Sequence, residues 1–144
     1  MKLINKILVI FFALLLNTNL ALSVEKWDMA LAYGAGNFHS QNATEFAKNV
    51  TVKSNGKLTI FTHPGGSLYK GGEIFRAVRT GQTQIGERFM SALGKEDPLL
   101  EIDSQPFLAS SYGDAMKLYK ASKAEIVKGL DAKGLVFLYA VPWP

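Results

Sequence analysis

Between Trp27 and Val141 the apolar residues switch repeatedly between two spacings, and that alternation limits the fold more than any other feature. Trp27 to Tyr33 (WDMALAY) is a near-continuous apolar run of strand length. From Ser40 to Ser54, Ala43, Phe46, Ala47 and Val50 recur at three- and four-residue steps, which puts them on one helix face. Asn55-Gly56 follows, a pair that tolerates the left-handed backbone found past helix ends. Lys57 to Thr62 alternates like a half-buried strand until His63-Pro64-Gly65-Gly66 breaks it. Glu73 to Thr80 has helical spacing with Gly81 as its stop, and Thr83 to Arg88 is a short strand around Ile85. Pro98 leaves Met90 to Leu100 ambiguous, and Ile102 to Phe107 is predicted extended, with Pro106 marking an edge. Two capping boxes, beginning at Ser111 and Ser122, predict separate helices over Ser111 to Tyr119 and Ser122 to Leu130. Leu135 to Val141 (LVFLYAV) is predicted to be a buried strand. Strands separated by helices of this length predict an α/β fold, a mostly parallel sheet with helices on both faces.

The opening residues set the compartment. Lys2 and Lys6 precede an apolar run from Ile7 to Leu16, and a polar-to-small stretch ends in Ala21-Leu22-Ser23. That is the layout of a secretory signal peptide with cleavage expected after Ser23. The apolar core is about half of the roughly 20 residues a spanning helix needs. Removing residues 1–23 takes away two lysines, leaving 14 basic against 12 acidic residues over 121 positions. One domain with a modest core fits that length, and no basic run supports nucleic-acid binding. Cysteine is absent, so neither disulfides nor thiolate metal sites are available. An exported chain held together by packing alone suits the bacterial periplasm.

Few motifs carry chemistry. Gly34-Ala35-Gly36 lies between a strand and a helix, but His39 stands where a dinucleotide fingerprint needs its third glycine. The run from Gly65 to Gly72 lacks the order of a phosphate-binding loop and reads as a connection. His39 and His63 have no H-x-x-x-H partner and read as loop or cap residues, so no metal or cofactor is expected. No serine, histidine or paired carboxylate assembles a catalytic constellation. Glu87-Arg88-Phe89 is different, because it falls where a strand ends and parallel sheets bind their ligands. Arg88 could fork onto a carboxylate, Glu87 accept from a ligand, and Phe89 form a wall, or Glu87 and Arg88 could be a surface pair. Tyr33, Tyr139 and Trp143 also sit near strand ends, as core or as pocket lining.

The run WDMALAYGAGNFHSQNATEFAKNVTVKSNGKLTIFTHPGGSL resembles the opening of the solute-binding subunits of TRAP (tripartite ATP-independent periplasmic) transporters, the DctP-like family. GGEIFRAVRTGQTQIGE and DSQPFLASSYGDAMKLYKA, followed by LDAKGLVFLYAVPWP, are similar to that family's next segments, in order. The resemblance implies a periplasmic receptor of two α/β lobes that closes over a small organic acid and delivers it to membrane permease subunits, with no bond broken. Carried onto this chain, it implies a pocket lined by Tyr33, Gly34, Glu87, Arg88, Phe89 and Trp143.

The family's carboxylate-clamping arginine belongs further downstream, and no arginine follows Arg88. Residues 24–144 are therefore expected to be the N-terminal lobe of a longer receptor, with half a pocket. Three other readings stay open. One is a receptor of an ATP-driven importer, another an exported enzyme of flavodoxin-like or Rossmann-like type, and the last a one-lobe interaction module. The substrate beyond "carboxylate" is not legible.

Overall fold

The computed structural model describes residues 23–143. The signal-peptide reading of residues 1–23 falls almost wholly outside them. Three parallel strands form one sheet in the order β2-β1-β3, with β1 at Glu25–Leu31, β2 at Leu58–His63 and β3 at Ile85–Glu87. Helix α1, Phe38–Lys53, connects β1 to β2, and helix α2, Ile74–Arg79, connects β2 to β3. The expected parallel α/β arrangement is what forms.

Strand parity decides which side chain meets which helix. Met29 and Leu31 of β1, Ile60 of β2 and Ile85 of β3 share one face, where Ala43 and Ala47 of α1 close over them. Leu31 is 0% exposed. Trp27, Phe46, Val50 and Leu58 ring this core. On the other face Ala30 lies beside Gly86 in the β1–β3 register, and α2 packs there through Ile74, Phe75 and Ala77. The approach is close. A Cβ on Gly86 would stand 2.5 Å from Cγ2 of Ile74 and 3.1 Å from Cγ2 of Val78.

Turn chemistry agrees with the sequence in most places. Asn55 (φ 51°) and Gly56 (φ 75°) take the left-handed backbone past α1. Gly65 and Gly66 do the same after β2, at φ 69° and 66°. Their amides donate to the Tyr33 and Leu31 carbonyls at 2.7 and 2.9 Å, tying the loop to the carboxyl end of β1.

Three expectations are corrected. The segment predicted as two helices is one, α3 at Tyr112–Asp131. Ser111 does cap it, its hydroxyl accepting from the Asp114 amide at 3.1 Å. Ser122, expected to cap a second helix, instead turns its hydroxyl back to the Leu118 carbonyl at 2.9 Å, which a helix interior permits. Ile102 to Phe107 is not extended, because a 3-10 helix runs over Pro98–Ser104. It is started by Pro98 at its first turn and by Asp97, whose side chain accepts from the Leu99 amide. Leu135 to Val141 is no buried strand either. It pairs with no strand among the described residues, and Val136 is 82% exposed. An apolar run becomes a strand only where a ladder partner takes up its amides and carbonyls.

Replacing Gly86 with alanine tests the close approach. Ile74 is buried and β-branched, so its methyl group cannot swing aside cheaply. Gly86→Ala is expected to cost roughly 1–3 kcal/mol of unfolding free energy in urea titration. Adding Ile74→Ala should recover part of that loss. A Gly86→Ala variant as stable as the parent would contradict the packing described.

Candidate functional site

The switch in a parallel sheet lies where successive connections leave in opposite directions, and ligands bind beyond the strand carboxyl ends there. In this sheet that point is the crevice between β1 and β3. Tyr33 and Gly34 follow β1 directly, while Glu87 ends β3 with Arg88 and Phe89 behind it. Trp143 joins them from the far end of the chain. Its ring centroid lies 5.3 Å from Tyr33 and 5.7 Å from Phe89. Five of the six residues singled out in the sequence thus come together beyond the carboxyl ends of β1 and β3. Gly34 lies at the rim, exposed, its carbonyl accepting from the Asn37 amide that begins α1.

His39 was missed. It reads as a loop or cap residue, yet α1 begins two residues earlier than the apolar spacing indicates. Asn37 is the cap, its side-chain oxygen accepting from the His39 amide at 2.9 Å. That places His39 in the first helical turn, 6% exposed. Its ring stacks on Trp143 at 4.7 Å and lies 3.9 Å from Phe38. The Asn at the cap position was the available signal. Tyr139 also reaches this region, packing on Phe46 at 5.1 Å and accepting a hydrogen bond from Asn42 at 3.3 Å.

The Tyr33 carbonyl is held twice, by the Gly65 amide at 2.7 Å and by the buried Ser40 hydroxyl at 2.8 Å. Glycine at 71 lets the Arg88 guanidinium settle onto the backbone, since a Cβ there would meet Nη1 at 3.0 Å. The glycine-rich connection is therefore a backing for Arg88.

Three buried polar atoms have no hydrogen-bond partner among the described residues: Nε2 of His39, Oε2 of Glu87 and Nε of Arg88. All three belong to this crevice. Buried polar groups in proteins are nearly always paired, and each unpaired one is costly. Glu87 and Arg88 are half-buried and form no ion pair with each other, which overturns the surface-pair reading.

Electrostatics agree with the burial. Desolvation pushes the Glu87 carboxyl above its ordinary range, and the Ala32 amide and the charge of Arg88 only partly offset it. Desolvation and the Glu87 charge raise the Tyr33 and Tyr139 phenols. Desolvation lowers the His39 imidazole. One donor, one acceptor and one imidazole nitrogen, set in an aromatic cup, can bind a small polar molecule carrying an acidic group.

A groove between α1 and the outer strand β2, lined by Thr44, Lys48, Val52 and Phe61 among others, contains none of these unpaired atoms. Among the described residues, no group of three or more His, Asp or Glu side chains could hold a metal ion. No helix among them is long and apolar enough to cross a membrane.

Residues 30–143 match the model of the bacterial extracellular solute-binding protein family 7, DctP. A marine metagenome TRAP solute-binding protein specific for pyroglutamate, solved with co-purified pyroglutamate, is 57% identical. The alignment covers 83% of this chain and 39% of that one, with a TM-score of 0.81. DctP6 of Bordetella pertussis, an extracytoplasmic solute receptor binding pyroglutamic acid, is 47% identical over 83% of this chain and 40% of its own, with a TM-score of 0.81. A solute-binding protein of Albidiferax ferrireducens is 31% identical over 72% of this chain and 31% of its own. The chain thus spans about two fifths of the length of these solved relatives and about a third of the curated one.

His39 gives a pH test. Its folded pKa lies below the ordinary value of 6.5, so between the two the unfolded chain binds more protons. Stability should be full above about 6.5 and fall as pH drops through that window. Glu87, raised above 4.5, has the opposite sign: its neutral form favours the fold, and its contribution is lost as pH rises through the raised value. His39→Phe keeps the aromatic stack and removes only the first effect. Thermal midpoints followed from about pH 7 to 5.5 should decline more steeply for the parent than for His39→Phe. Equal slopes would show that His39 titrates as a solvated residue.

Proposed function

The chain belongs to the bacterial extracellular solute-binding protein family 7, the DctP family, and from that premise we propose that residues 24–144 form the N-terminal lobe of a periplasmic receptor. The receptor captures a small organic acid of the pyroglutamate class and delivers it to the membrane permease subunits of a TRAP transporter. Residues 1–23 act as the export signal, cleaved after Ser23. Capture and release require no covalent step, so the protein works as a carrier.

The observation that carries this reading is the set of unpaired buried atoms at the sheet's switch point, His39 Nε2, Glu87 Oε2 and Arg88 Nε. Pyroglutamate is a five-membered lactam bearing a carboxylate, so it offers complementary donors and acceptors and a flat ring. Two relatives at 57% and 47% identity bind it. On this reading Tyr33, Phe89 and Trp143 bracket the ring and Gly34 gives close backbone approach. Glu87 and Arg88 meet polar groups. A second lobe supplies the principal carboxylate clamp, because a forked arginine–carboxylate pair is the strong orienting contact in such sites.

A chimera tests this. Residues 24–143 of this chain replace the equivalent lobe of the marine metagenome relative, and L-pyroglutamate binding is measured calorimetrically. Tight binding is expected. Arg88→Ala in the chimera should weaken it roughly tenfold or more. The 144-residue chain alone should bind weakly, since half a pocket neither excludes water nor clamps the carboxylate. A chimera that unfolds cooperatively but ignores pyroglutamate, or tight binding by the lobe alone, would overturn the reading.

A further inference from the structure

We propose that Glu87 selects ligands that present an N–H group to it, so that lactam acids are taken and their ring-oxygen counterparts are refused. This rests on the receptor reading above and adds to it the atom that decides between close isosteres.

An ionised carboxylate only accepts hydrogen bonds. Oε2 of the Glu87 carboxylate is buried and receives nothing from the described residues. Neighbours that could fill the need do not. The Tyr33 and Tyr139 phenols both lie within the field of the Glu87 charge, yet neither donates to it. Tyr139 is engaged with Asn42 instead. Arg88 makes no ion pair with Glu87. Its guanidinium rests on Gly71, and its own Nε is left buried and unpaired. The crevice thus keeps one acceptor and one donor apart and unmatched.

A lactam acid, whose ring N–H and carboxylate sit on neighbouring atoms, would offer a donor to Glu87 Oε2 and an acceptor to Arg88 Nε. A lactone of the same size would set its ring oxygen against Oε2, acceptor against acceptor. Sites built to hydrogen-bond an N–H or O–H reject analogues lacking it far more strongly than they reject a change of size. If water instead satisfied Oε2 in the loaded site, the two ligands would bind alike.

The experiment compares L-pyroglutamate with its lactone isostere, 5-oxotetrahydrofuran-2-carboxylate, by calorimetry on the chimera and on its Glu87→Gln form. The lactam should be preferred by roughly a hundredfold or more. Glu87→Gln should shrink that ratio below about tenfold, because a carboxamide can turn its NH2 toward a ring oxygen. Equal binding of both ligands by the chimera, or a ratio unchanged by Glu87→Gln, overturns the proposal and leaves the receptor reading intact. No pyroglutamate binding by a folded chimera overturns both. Should that chimera fail to fold, the ratio is read on a second chimera, with DctP6 of Bordetella pertussis supplying the rest of the receptor. The same preference supports the proposal, and its absence overturns it.

Discussion

The pairing of β1 with a parallel neighbour on each side places everything that matters in this structure. Met29 lies opposite both Thr62 and Ile85, and Leu31 opposite Glu87. Once these pairings form, the carboxyl ends of β1 and β3 stop side by side, and Tyr33 and Glu87 have no alternative but to share a crevice. The pleat does the rest. Met29 and Leu31 go to α1, and Ala30 goes to α2. A slip of one residue would exchange those faces and carry Glu87 away from Tyr33. Burial of the β1 apolar run therefore secures the position of polar groups that contribute nothing to the core themselves.

Those polar groups pull against stability. One polar atom each of Glu87, Arg88 and His39 surrenders hydration without gaining a partner among the described residues. Such unmet demand is tolerated where something outside the fold meets it, and binding sites are where it gathers. The aromatic rings deepen the effect. Trp143, Phe38 and Tyr33 exclude water from His39, while Tyr33 and Tyr139 lie in the field of the Glu87 charge. Packing and electrostatics here meet in one place, an aromatic cluster whose buried polar atoms are incompletely bonded.

How much was legible follows from what each signal measures. Periodicity and turn residues report local constraints, so the three strands, α1, α2 and the Asn55-Gly56 and Gly65-Gly66 turns could be placed within a residue or two. The position of Glu87, Arg88 and Phe89 at the carboxyl edge of the sheet was legible because a strand end is a location as well as an element. Non-local outcomes were not. Ser122 looks like a cap until its hydroxyl is seen to bond Leu118, and nothing in the run around it separates the two uses. Leu135 to Val141 has strand composition, but strand formation depends on a ladder partner, which composition does not reveal. His39 was lost to a two-residue error in a helix start. Only the paired reading of Asn37 as cap and His39 as first turn would have recovered it. The substrate was not legible, since many acids could satisfy one acceptor and one donor.

The doubly held carbonyl of Tyr33 has a kinetic side. A carbonyl oxygen offers two lone pairs, and here the Gly65 amide and the Ser40 hydroxyl occupy both. The peptide plane behind Tyr33 cannot librate without breaking one bond to the glycine turn and another to α1. The phenol therefore turns about its own side-chain torsions on a stationary base. Of the two rings that meet here, Tyr33 thus stands on a doubly anchored base, whereas Trp143 rides on backbone outside any helix or strand.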